Sequence, residues 1–439
     1  MPVLSNIANA TAKAYGFTSI SGGLNYMAFY DATTSVSLTG SGASSGNSFY
    51  ICGSISTSPI KPVLISIASN GGLSFQKTYG TVYGLFNNFT FDTSENLIIA
   101  SEYNPSPTNA LWTIASSGSI TSTTGLSGST TAGSAKNQKA IYDSSGNLFV
   151  LGSVVVSTFR TLQVSKYDSS LSLLSQYKYS VASTNYDAIS FCLDSSGNMY
   201  FLSTIYTAPY KYFTILKTDS SGTISWAKRY RFTDGTNEPS NIVADSTGNI
   251  YVAGHYQATN SISYLCKIDS SGTVLWTKTL SKASTYVWTS GLSIDADSTY
   301  IYTSGFSGSY SANKATINKY DLSGNLIWQK SIDLSGATWT GSYVTPKGDN
   351  YYLVSSPYVS SVTKAFFACL PIDGTKTGTY TFGGNSFVYA DGDSTSATGT
   401  DPSASAGTTP TKATTSYSTA SITATPSNLS YALTTKSVQ

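Results

Sequence analysis

Charge is scarce in this chain. Of 439 residues only 10% are Asp, Glu, Lys or Arg, and the net charge is +2. With no basic tract, nucleic acid has no electrostatic footprint to bind, and no nucleic-acid partner is expected. Histidine is scarcer still: His255 is the only one, so neither a Ser-His-Asp nor a Cys-His constellation can be assembled, nor a His-based metal cluster. Glutamate is limited to Glu95, Glu102 and Glu238, so a glycosidase-like carboxylate pair would have to draw on aspartate. The four cysteines, Cys52, Cys192, Cys266 and Cys369, form no CxxC pair and read as small buried residues. No apolar run reaches membrane-spanning length, and the N-terminus has neither a basic start nor an apolar core. The expectation is a protein with no membrane insertion that does not use the standard secretory route.

What the chain has is a period. The unit Asp245-Ser-Thr-Gly248-Asn249-Ile-Tyr-Val-Ala-Gly254 recurs as Asp194-Ser-Ser-Gly-Asn198-Met-Tyr-Phe and Asp143-Ser-Ser-Gly-Asn147-Leu-Phe-Val. Weaker copies stand at Asp92-Thr-Ser-Glu-Asn96 and Ser44-Ser-Gly-Asn47, then in degraded form around Thr299 and Asn350. The Asn positions 47, 96, 147, 198 and 249 are 49 to 51 residues apart, and such a fixed spacing marks a repeat architecture. A second turn lies inside each period, as in Lys217-Thr-Asp219-Ser-Ser-Gly222-Thr-Ile-Ser-Trp226. It recurs at Lys267-Ile-Asp269-Ser-Ser-Gly272 with Trp276, and at Lys319-Tyr-Asp321-Leu-Ser-Gly324 with Trp328. Looser versions include Asn70-Gly71, Ser117-Gly118, Asp168-Ser-Ser170 and Asp373-Gly374.

The turn has its own chemistry. The leading Asp can accept from backbone N–H groups two or three residues on, as in an Asx-turn, and Gly in the fourth place supplies positive φ. Where Leu171 replaces that Gly, the turn should be strained or differently shaped. Two turns per period make two hairpins, hence four short strands, and seven periods of β-branched and aromatic alternation make strands throughout. A four-stranded unit cannot bury both faces alone. Arranged radially, each sheet packs on its neighbours. The expected fold is all-β: a seven-bladed β-propeller of four-stranded antiparallel blades spanning 31–392, with an N-terminal arm or anchor (1–30) and a Ser/Thr-rich C-terminal extension (393–439). The extension reads as extended and pairing with another chain, or as disordered. Either Asn385–Tyr389 completes the first blade, or Val36-Ser-Leu38 does and 385–389 is extra.

Trp226, Trp276 and Trp328 sit mid-strand and are expected to dock between blades rather than to stack on ligand. Tyr103, Tyr206, Tyr256, Phe306 and Tyr358 stand just after strand two of their units, on the face opposite the Asp turns. Ser54 and Val154 break that series. These rings are candidates for sugar stacking or partner contact, against the alternative that they cap each blade's apolar layer. Asp143, Asp194, Asp245 and Asp297 could be imagined as a calcium ladder. Each turn supplies about one carboxylate, short of what calcium needs, so no metal and no cofactor are expected.

The D-S-S-G-N-Φ-Y units resemble a bacterial seven-bladed β-propeller repeat family. The K-x-D-S-S-G-x-Φ-x-W segments resemble the tryptophan-docking repeats of quinoprotein-like propellers. That second resemblance implies fold and not activity, because a quinoprotein's vicinal cysteine pair is missing. Ala12-Lys-Ala-Tyr-Gly-Phe17 and the Ser/Thr/Gly/Tyr-rich composition resemble virion structural proteins of tailed bacteriophages. The resemblance implies a non-enzymatic virion component in tail, fibre or capsid, used in assembly or host-surface attachment. Its partners would be other virion proteins held through the termini and a host glycan or receptor, and it would be a homo-oligomer in the particle. The alternative is a bacterial lectin-like adhesin. A propeller enzyme ranks below both.

Overall fold

The computed structural model describes residues 25–406 apart from short loop segments, and of the flanking segments only the backbone of a few strands. The rest of the proposed arm, and the turn residues Asn47, Asn70 and Asp297, fall outside the described residues. The chain forms seven antiparallel sheets arranged as a ring, the propeller that the period implied. Blade 5 shows the pattern: Asn237–Ala244, Ile250–Gln257, Ser261–Ile268 and Val274–Ser281 pair in sequence order. Each first strand lies against the first strands of both neighbouring blades, which closes the circle around a central channel. The middle strands of a blade are covered on both faces, so Phe49–Ile55 is buried along its whole length. The core is accordingly not central. Each of its seven apolar clusters lies between two adjacent blades, as with Tyr200, Phe213 and Tyr230 of blade 4 against Ile242, Val252 and Tyr264 of blade 5.

The Asp turns explain why Asn marks the period. Asp194 Oδ1 accepts from the backbone N–H of Ser196 and Asn198, both at 2.9 Å. Its Oδ2 accepts from Asn198 Nδ2 at 2.8 Å and from the Tyr200 hydroxyl at 3.2 Å. One carboxylate thus ties the turn to the strand that follows. Leu171 takes the glycine-type φ of 62° and keeps the same hydrogen bonds to Asp168, so that turn holds its shape and carries the strain.

The second turn of each period locks one blade to the next. Trp226 Nε1 and Lys217 Nζ of blade 4 both donate to the Ser270 carbonyl of blade 5, each at 3.1 Å. The Tyr230 hydroxyl donates to the Gly272 carbonyl at 2.9 Å. Gly272 has φ of 82°, and a Cβ there would stand 2.8 Å from Lys228 and 3.1 Å from the Trp226 ring. Glycine therefore serves both the turn and the close approach. Trp276 packs in the same way on Gly324, and Trp328 Nε1 donates to the Ile372 carbonyl at 3.2 Å.

Closure uses both ends of the chain. Blade 7 is built from Thr338–Lys347, Asn350–Val359 and Ala365–Pro371, and its fourth strand is Tyr26–Tyr30, from the segment read as an arm. Val36–Ala43 is the first strand of blade 1. Asn385–Asp391 is instead a fifth strand on blade 6, where Gly378–Phe382 adds a sixth. From there the extension runs backward round the ring. Thr395–Thr398 pairs with blade 5, Ser403–Ala406 with blade 4 and Thr411–Thr414 with blade 3. Ser418–Ser421 follows on blade 2, Pro426–Asn428 on blade 1 and Leu433–Ser437 on blade 7. These strands begin seven or eight residues apart, about 25 Å of extended chain. The extension is thus extended, as one expectation had it, but it pairs with its own ring.

Two outcomes follow. Removing residues 393–439 uncovers the outer edges of six blades. The melting temperature should fall by roughly 5 °C or more, and sedimentation should show concentration-dependent association. Asp245→Ala removes an acceptor of bonds from Thr247, Asn249 and Tyr251 and should cost about 2–3 kcal/mol in denaturant unfolding. Burial alone would raise the Asp245 pKa, but these hydrogen bonds outweigh it and hold it below the ordinary value. The wild-type contribution is therefore present above about pH 4 and lost on further acidification, and the variant should lack that part of the acid transition.

Candidate functional site

Strands one to two and three to four are joined on the turn face, so the remaining connections emerge on the opposite, loop face. Across blades 4, 5 and 6 the loop face carries a run of three separate aromatic groups. At one end Arg231 lies over the Tyr210 ring, 3.7 Å from its centroid, and Arg229 lies over Tyr212 at 5.0 Å. These four come from facing ends of Tyr210–Thr218 and Ile224–Arg231, where same-face neighbours alternate. Phe232, just beyond, stacks on Tyr256 of blade 5 at 4.5 Å and 12°. The adjacent His255 points to the other side of its sheet and stacks on Trp288 of blade 6 at 4.6 Å and 8°. Trp288 meets Phe306 at 5.0 Å and Tyr310 at 5.9 Å, and Tyr310 meets Tyr286 at 4.4 Å.

The five rings singled out from sequence divide. Tyr206 and Tyr358 are 63% and 45% exposed and free to meet a ligand. Tyr256 and Phe306 are half-buried within the run, where they pack between blades. The side chain of Tyr103 lies outside the described residues, and its backbone pairs with Gly84. Each of the five stands on a different blade, so they do not converge. Tyr210 and Tyr310, 41% and 60% exposed, were not singled out. They stand at the turn between strands two and three, Tyr210 just after it and Tyr310 within it, where the repeat register dissolves. Their signal was the local Tyr210-Lys-Tyr212 and Tyr310-Ser-Ala spacing rather than the period.

The electrostatics of this face are mild. Lys211 Nζ pairs with Glu238 at 2.6 Å, beside His255 across the blade 5 hairpin. Burial pulls His255 down to about 4, with smaller opposing effects from Glu238 and Lys211, so the ring is neutral at physiological pH. Its Nδ1 and the neighbouring Trp288 Nε1 meet no hydrogen-bond partner among the described residues, which leaves a polar pair inside the aromatic run. The turn face offers little to a cation, because the carboxylates of Asp143, Asp194 and Asp245 are engaged by their own turns. Among the described residues no three His, Cys, Asp or Glu side chains converge as a metal site.

Neither a protein-family model nor a curated protein matches the sequence. Solved structures do match in fold. The polysaccharide lyase Uly1 aligns over 76% of this chain and 90% of its own, with a TM-score of 0.51 and 8% identity. A mutant of the Synechocystis apocarotenoid oxygenase aligns over 76% and 88%, at TM-score 0.42 and 11% identity. A Trypanosoma rangeli sialidase in complex with sialic acid aligns over 77% and 55%, at 0.35 and 10%. At these identities the likeness is one of fold. It nevertheless corrects the expectation that the chain is not an enzyme. A protein named as a polysaccharide lyase shares this fold, so the fold and composition do not support the expectation of no catalysis.

His255 yields a pH prediction. Its folded-state pKa lies below the ordinary value near 6.5, so the unfolded chain binds the extra proton first as pH falls. Stability should therefore decline between about pH 6.5 and 4, by an amount on the order of 2–3 kcal/mol. His255→Phe, which keeps the stack on Trp288, should flatten that part of the pH–stability curve measured by urea unfolding.

Proposed function

We propose that this protein binds polysaccharide through its loop face, as the surface-attachment component of a bacteriophage particle. The observation that carries the reading is the aromatic run across blades 4 to 6. Its interior rings are fixed by packing, while Tyr206, Tyr210 and Tyr310 stay exposed at its ends. Pyranose faces are apolar patches that stack well on tyrosine, and rings already held in place lose little entropy on binding. Arg231 over Tyr210 and the Lys211–Glu238 pair add donors beside the rings, which suits a sugar chain carrying carboxylates. The one solved structure above that shares the fold at TM-score 0.51 is that of a protein named for acting on polysaccharide. The particle setting rests on the opening segment and the hydroxyl-rich, weakly charged composition. Assembly contacts through the N-terminal arm, and association of several copies in the particle, belong to the same proposal.

Titration of the purified protein with neutral and uronic-acid polysaccharides tests it. Tyr206→Ala and Tyr310→Ala, each at an exposed position, should weaken binding roughly three- to tenfold without lowering the melting temperature. Arg231→Gln should weaken only the anionic ligand. Absence of binding to either class, or equal binding by all variants, removes the reading.

A further inference from the structure

At the turn-face end of the central channel lies a cavity of about 420 Å³ that the aromatic face does not touch. Lys139 lines it, and three consecutive first strands bring polar side chains together around that amine. Lys139 comes from blade 3, Ser190 from blade 4 and Asn241 from blade 5, each immediately after the β-bulge of its strand. A bulge re-aims the side chains beside it, and here three of them converge. Asn241 Nδ2 donates to the Leu292 carbonyl at 3.0 Å, which fixes its amide so that Oδ1 faces inward. Asn241 Oδ1 then accepts from Ser190 Oγ at 2.5 Å and from Lys139 Nζ at 3.4 Å, and Lys139 Nζ also donates to Ser190 Oγ at 3.1 Å. Both partners of the amine are neutral oxygens, and Lys139 belongs to none of the ion pairs among the described residues. A half-buried cation without a counter-charge is costly, and such arrangements gather at functional sites.

We propose that this cavity is a capture site for small neutral aldehydes or ketones, with the Lys139 amine as the nucleophile. The amine nitrogen attacks the carbonyl carbon, a C–N bond forms, and a proton passes from nitrogen to the carbonyl oxygen. Loss of water from that adduct leaves an imine, with no oxidant or reductant consumed. Burial pulls the amine down to about 8, so roughly half is unprotonated near that pH, against less than about 1% of an ordinary lysine. The surrounding titratable groups leave it so. Cys192 and Tyr142 are pushed up to about 12 and stay neutral, while Asp143, Asp194 and Asp245 on the cavity wall are engaged by their turns. Ser190 and Asn241, in contact with the amine, can hold the oxygen of the adduct.

The test is reductive alkylation of the full chain with limiting propionaldehyde and cyanoborohydride, which delivers hydride to the imine and fixes it as a propylamine. Peptide mass mapping reads each lysine. Lys139 should be alkylated at least about tenfold faster than the exposed Lys314 at pH 8, with a rate that levels off above pH 8 where that of an ordinary lysine keeps rising towards pH 10. Lys139→Met should abolish the fast site and leave the melting temperature unchanged or raised. Should that variant fail to fold, the wild-type rate–pH profile decides alone. Labelling of Lys139 no faster than Lys314, or a rate that keeps climbing through pH 10, overturns the proposal.

Discussion

Everything in this fold depends on what happens at the outer edge of each blade. A four-stranded sheet packed between two neighbours has its faces covered, but its last strand still presents a row of unmatched N–H and C=O groups. In this chain Asn385–Asp391 meets that need on blade 6, and the C-terminal extension meets it six times more, one short strand per blade, in the order 5, 4, 3, 2, 1, 7. Its last strand, Leu433–Ser437, pairs with Tyr26–Tyr30, which in turn pairs with Ala365–Pro371. Blade 7 is therefore assembled from the start, the middle and the end of the sequence. The ring and the belt around it close at the same place.

This arrangement separates the tasks of the two faces. Turn-face aspartates are used up in holding hairpins, and on blades 4 to 6 the fourth-strand tryptophan and the third-strand lysine reach the next blade's turn, so that side is largely spoken for. The loop face is free of such repeats, and it is there that rings gather across blades 4 to 6. Rigidity on one side is what lets exposed tyrosines on the other keep a fixed geometry. The channel cavity is a third environment, neither clipped nor aromatic, where bulges in the first strands turn polar groups inward.

The blade count and the two turns per blade were legible because they rest on local chemistry. Asp with Asn four residues later, and Gly before Trp, each satisfy a bond within a few residues, so the pattern survives in one dimension. The belt was not legible, for a physical reason. Strands such as Thr395–Thr398 cover an edge and bury no face, so they need no apolar alternation, and only a faint step of seven or eight residues marks them. Tyr26–Tyr30 read as part of an arm because its partners lie more than 300 residues away. Tyr206 and Tyr358 were found from the period and prove exposed, while Tyr256 and Phe306 at the equivalent place are packed. Residues distant in the sequence decide between those outcomes: Phe232 of the neighbouring blade for Tyr256, and the cross-strand Trp288 for Phe306. Lys139 gave no signal at all, since its burial is a property of three blades meeting.

The most direct measurement is hydrogen–deuterium exchange at the fourth strands, read amide by amide. If the belt encircles the ring, N–H groups facing it, as in Tyr177–Ser180, Lys228–Arg231 and Lys278–Ser281, should exchange slowly in all the blades it covers and at similar rates. Fast exchange along those strands, with slow exchange confined to the inner three strands of each blade, would contradict the account.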